Sequence, residues 1–187
     1  SEGERVEDLI SSLNDPTIAG AVVLGTELSF EQVERFSSVG IPIVFLDTYF
    51  PYLPFDFVDM DNLDAVHLVL SEFVRAGHHE VGLVTSPVSV ENFRLRDRGF
   101  HEASAWLGIE SGSATRIEVD STYDGAREDM ARYIESGAPI PPALFCVNDM
   151  IAYGTIEALH RAGYRVADDV SVIGFDNLLL SELLPPP

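Results

Sequence analysis

LFCVNDMIAYGTIEALHRAGYRVADDVSVIGFDN, residues 144–177, decides the fold class. Leu144–Val147 is a short apolar run that reads as a buried strand, and Asn148-Asp149 switches the chain to polar. A helix follows and ends at Gly163; after a loop, Val170–Phe175 reads as a second buried strand that stops at Asp176. Strand, helix and strand in that order make one βαβ unit and therefore a parallel sheet. Small ligands bind such sheets at the carboxyl ends of the strands. Asn148 and Asp176, which end these two strands, can both hold hydroxyl groups.

The alternation continues through the rest of the chain. Val6, Leu9, Ile10 and Leu13 share one face of a helix over Glu2–Leu13 that Asn14-Asp15-Pro16 ends. Ile18–Leu24 has no polar face, as expected of an interior strand. Ser29 and Gln32 form a capping box for a short helix closed at Gly40, and Ile41–Leu46 is a further buried strand, ending at Asp47. From Thr48 to Asp61 the prolines and aromatics of TYFPYLPFDFVDMD break the pattern; such rings line a pocket or cap a core, and Val58–Met60 is expected as one short strand. Asn62 opens a helix striped by Val66, Val69, Leu70, Phe73 and Val74, and Gly77 closes it. Next come a strand, Glu80–Thr85, turning at Ser86-Pro87, and a helix over Glu91–Leu107. Ala114–Val119 is expected as an edge strand and Asp124–Glu135 as a helix.

Composition removes several functions. The 187 residues hold 31 Asp+Glu against 11 Lys+Arg, every one an arginine, for a formal charge of -20. So acidic a surface repels phosphate backbones, and this segment is not expected to grip nucleic acid or an anionic membrane by itself. The single cysteine, Cys146, can form no internal disulfide and lies in an apolar strand, which suits a reducing compartment. No apolar run approaches the roughly 20 residues that cross a bilayer. There is no Gly-x-Ser-x-Gly elbow, Walker loop or HExxH helix, and His78-His79 reads as a surface turn rather than a metal site. Neither an enzyme nor a cofactor or metal site is expected.

The strand ends share a chemistry. Asp47, Ser86, Asn148 and Asp176 each follow a strand and would stand at the carboxyl edge of a parallel sheet. Two carboxylates, an amide and a hydroxyl suit a polyhydroxylated ligand. Helix capping also selects Asn, Asp and Ser at such positions, and for Asn148, directly before a helix, both roles stand open.

These segments resemble the effector-binding domain of the LacI/GalR family of bacterial transcription regulators. IAGAVVLG, IPIVFLD, VDMDN, FVRAGHHEVGLVT, RDRGF, ALFCVNDMIAYGTIEALHRAG and DDVSVIGFDN occur in the family's order from Ile18 onward. The resemblance implies an α/β fold of two Rossmann-like lobes with parallel sheets, of the periplasmic binding protein-like type I, with an effector in the interlobe cleft. Residues 1–60 would form a partial first lobe, 61–184 the second, and 185–187 the start of a crossover back. The first lobe is incomplete against the family pattern, which implies a fragment of a longer protein and exposed apolar surface on that lobe.

The resemblance also names effector contacts. It places the family's forked arginine on Arg96, with Arg94 a second candidate, its cleft aspartate on Asp176, its Asn-Asp switch on Asn148 and the strand-closing aspartate on Asp47. Its stacking aromatic falls nearest Tyr123. Read without the resemblance, Arg94, Arg96 and Arg98 are solvated helix charges paired with acids. The implied protein is a cytoplasmic, homodimeric regulator that senses a sugar or sugar-like small molecule and meets operator DNA through an N-terminal domain outside this chain. An exported sugar-binding protein of an uptake system shares the fold without the DNA link. Alanine at Arg96 or Asp176 is expected to remove effector binding and leave the melt nearly unchanged.

Overall fold

The computed structural model describes residues 2–109 and 116–182. The start of the expected strand at Ala114 and the crossover at residues 185–187 lie outside them. The chain divides into two compact units: the described residues up to Asp61 with Ser89–Arg94, and Asn62–Val88 with the described residues from Leu95 on.

Unit 1 is built around a three-stranded parallel sheet in the order β1 (Ala21–Leu24), β2 (Ile43–Leu46), β3 (Asp56–Val58). Helix α1 (Glu2–Leu13) buries Val6, Ile10 and Leu13 in a core shared with Val23, Val33, Phe36, Ile43 and Phe45. The capping box that starts α2 (Phe30–Arg35) is complete: Ser29 Oγ accepts from the Gln32 amide, and Gln32 Oε1 accepts from the Ser29 amide. The aromatic loop caps the core, with Phe50, Phe55 and Phe57 packed against it and Tyr52 exposed.

β1 stands at the sheet edge among the described strands, with Val22 and Leu24 68% and 70% exposed, the bare apolar surface expected of an incomplete first lobe. One strand expectation needs correction. β3 covers Asp56–Val58 rather than Val58–Met60, because pairing Phe57 with Phe45 keeps Phe57 packed on the core.

Unit 2 carries a four-stranded parallel sheet in the order β5-β4-β6-β7, formed by β4 (Gly82–Thr85), β5 (Arg116–Glu118), β6 (Ala143–Cys146) and β7 (Ser171–Ile173). The opening stretch is thus β6, helix α6 (Asp149–Arg161) and β7, with β6 and β7 parallel neighbours. β4 and β6 are buried along their whole length, as strands covered on both faces require. Helices α3 (Asn62–Arg75), α4 (Glu91–Leu107) and α5 (Tyr123–Glu135) complete the alternation, and the first turn of α4 belongs to unit 1. α5 and α6 approach closely at Gly154, where a Cβ would lie 2.6 Å from the Tyr123 carbonyl and 2.8 Å from the Arg127 amide nitrogen.

Cys146 closes β6 in full burial, and the lost hydration of a thiolate there, with the charge of Asp149 adding to it, pushes its pKa up to about 12 despite the Thr155 hydroxyl. At pH 8 the native protein is therefore expected to react with iodoacetamide roughly a thousandfold more slowly than free cysteine. The neutral thiol stabilises the fold fully below its unfolded value near 9, and that contribution is lost as pH rises towards about 12. Labelling at the free-thiol rate in native buffer would show that Cys146 is not held in the core.

Candidate functional site

Unit 1 ends β2 in Asp47, whose amide continues the ladder to Val58 O at 3.0 Å while its backbone turns to φ 59. Aspartate tolerates this left-handed turn better than most residues. Its carboxylate accepts from Asn92 Nδ2 at 2.8 Å through Oδ1 and from the Thr26 hydroxyl through Oδ2. Asn92 is 4% exposed, so a buried amide orients the acid. Arg94 is exposed and pairs with Glu91 at 2.9 Å.

Unit 2 gathers Arg96, Asp176 and Asn148 beyond the ends of β6 and β7. Arg96 is 3% exposed, and its guanidinium is held on several sides. Nε donates to Asn62 Oδ1 at 2.9 Å and Nη1 to the Val147 carbonyl at 2.6 Å. The same Nη1 lies 3.4 Å from Asp176 Oδ1, and the Phe175 ring faces Cζ at 3.6 Å. Planar charge, hydrogen bonds and ring stacking together suit arginine and no other cation. Asp176 keeps a third of its side chain exposed, so the pair presents an anionic edge to solvent from a buried cationic base.

Burial corrects one expectation. Alanine at Arg96 would take its charged donor from Asn62 Oδ1 and Val147 O, so the melt is expected to fall rather than stay nearly unchanged. Arg94 and Arg98 do match the solvated account, paired with Glu91 and Glu102.

Asn148 caps α6, its Oδ1 accepting from the Ile151 amide at 2.8 Å; its Nδ2 is a donor that the cap does not use. Ser86 is 5% exposed just past β4, with the Val88 amide at 3.5 Å from its hydroxyl. Tyr123 opens α5 after the Thr122 cap, half-buried, with the Arg127 guanidinium 5.9 Å from its ring. Asn62, Asn92, Thr26 and Phe175 hold the candidates in place and were not singled out from sequence as contacts of the site. No group of three or more metal-binding side chains occurs among the described residues, and no helix of the structure is long and apolar enough to cross a membrane.

Comparison with known proteins agrees with this architecture. Residues 70–187 match the family description of the periplasmic binding protein-like domain. The HTH-type transcriptional repressor PurR of Haemophilus influenzae is 28% identical over 100% of this chain and 55% of its own length. A sugar-binding LacI-family regulator of Escherichia coli, solved with phosphate, superposes with a TM-score of 0.85 at 25% identity, covering 97% of this chain and 66% of that one. The dimeric Lac repressor with an 11-residue C-terminal deletion shares the fold, with a TM-score of 0.87 at 24% identity over 100% of this chain and 68% of that one. The chain spans about half the length of the curated relatives it matches. It belongs to the periplasmic binding protein-like domain family.

Proposed function

We propose that this chain is the ligand-sensing part of a bacterial transcriptional regulator, and that it binds a small polyhydroxylated effector, a sugar or sugar-like metabolite. The observation that carries the proposal is the Asp176 carboxylate, part exposed and backed by the buried Arg96. A carboxylate accepts from two neighbouring hydroxyls, and a guanidinium beneath it orients it. Arg96, Asn148 and Ser86 would complete the contacts of unit 2, with Tyr123 a further candidate there; Asp47 and Arg94 would be the candidates of unit 1. Effector occupancy would bias DNA binding by a helix-turn-helix domain elsewhere in the whole protein, acting as a cytoplasmic homodimer on its operator. The relatives' description as HTH-type repressors favours this over an uptake protein.

A thermal-shift screen of the full-length protein against sugars, polyols and purines tests the reading. At least one compound is expected to raise the melting temperature. Asp176→Asn, which keeps the shape and tolerates the left-handed backbone, is expected to weaken that compound by about 1.5–3 kcal/mol, roughly 10- to 150-fold. A compound bound equally by both proteins would remove Asp176 from the site.

A further inference from the structure

The turn after β7 is built against a carboxylate that is not among the proposed effector contacts. Asp149, the first residue of α6, is 5% exposed. Its Oδ2 accepts from the Leu178 amide at 2.7 Å and from the Ser181 hydroxyl at 3.0 Å. Tyr153 OH meets Ser181 Oγ at 2.7 Å and lies 3.5 Å from the same carboxylate oxygen. A buried carboxylate needs hydrogen-bond donors, and these bonds supply them to Oδ2.

Gly174 makes the room. A Cβ there would stand 2.4 Å from Asp149 Oδ1 and 3.1 Å from the Ala152 Cβ, so a larger residue after β7 would displace this carboxylate. Between Gly174 and Leu178 lie Asp176 at φ 105 and Asn177 at φ 55. The first value falls outside the left-handed well, and a residue with a Cβ holds it only when its surroundings over-determine it. Asp149 supplies the constraint on both sides: it packs under Gly174 and bonds the Leu178 amide. The backbone so held brings Asp176 Oδ1 to 3.4 Å from Arg96 Nη1. Asp149 also directly follows Asn148, the cap of α6.

We infer that Asp149 is a positioning residue: its buried carboxylate fixes the turn at residues 176–178 and so aims Asp176 at Arg96. Its importance for a ligand rests on the effector reading; its effect on the turn does not. NMR of the full chain carrying Asp149→Ala, Asp149→Asn or Tyr153→Phe tests it. Asp149→Ala is expected to speed hydrogen exchange of the Leu178 amide by about tenfold or more and to shift the Asp176 and Arg96 Nε–H resonances, with the β4 and β6 amides unaffected. Tyr153→Phe keeps the bond to Leu178 and should leave that amide as in the parent. If the alanine variant does not fold, Asp149→Asn decides: faster exchange at Leu178 than in Tyr153→Phe supports the inference, and equal exchange in the two overturns it.

Calorimetric titrations with cellobiose, D-ribose and adenosine separate this from the effector reading. A probe bound about tenfold or more weakly by Asp149→Asn at an unchanged melting temperature supports positioning of a ligand contact. Equal affinity in parent and variant overturns it. Failure of the parent to bind any probe counts against the effector reading, and the exchange at Leu178 then decides the role of Asp149 alone.

Discussion

Arg96→Ala is expected to destabilise unit 2 by about 3–5 kcal/mol, the cost of removing one partner from a buried charged network. The side chain is 3% exposed and serves an amide oxygen, a backbone carbonyl, a ring face and a carboxylate together. Removing it takes the charged donor from the first two. Asp176 is less affected, since a third of it already meets solvent. Arg96→Lys is expected to recover little, because an ammonium cannot bond Asn62 and Val147 while lying flat on Phe175. Arg94→Ala and Arg98→Ala should each change stability by no more than about 0.5 kcal/mol, their ion pairs being exposed. Urea denaturation of the three alanine variants checks this, and equal shifts for all three would mean that Arg96 is a surface charge.

The contrast among these arginines shows what could be read beforehand. Arg96 stands four residues before Phe100 and seven before Ala103, both buried, so helical spacing alone places it on the apolar stripe of α4. Local sequence could not say what it meets there, because Asn62 is 34 residues away and Val147 is 51. The same distance hides Asn92, which lies 45 residues from Asp47. The two aspartates were legible because a polar side chain ending an apolar strand marks the sheet's carboxyl edge, but their positive φ was not. Helix limits are legible, those of α4 to the residue, since caps and periodicity are local signals. Strand limits are less legible: β1 and β3 are set by pairing with β2, a non-local matter.

Phe45→Ala is expected to cost about 3–5 kcal/mol, as large aromatic deletions from packed cores do. Phe45 is fully buried in β2, the central strand of the unit 1 sheet. Its ring lies 5.3 Å from that of Phe36, 5.1 Å from Phe55 and 5.7 Å from Phe57, so one side chain joins the α2 side of the core to the aromatic loop. A core this small has little to spare, since domain stabilities of about 5–15 kcal/mol would lose a large share in one change. Hydrogen exchange of the β2 amides measures the loss, with Tyr52→Ala, at a 90% exposed ring of the same loop, expected to change it by no more than about 0.5 kcal/mol. A Phe45→Ala effect as small as that of Tyr52→Ala would mean that the aromatic cluster is not packed as described. Asp47 directly follows β2, two residues beyond Phe45, and its amide extends the β2–β3 ladder to Val58 O. Loosening that strand should therefore free the Asp47 carboxylate from Asn92 before any residue of the site itself is changed.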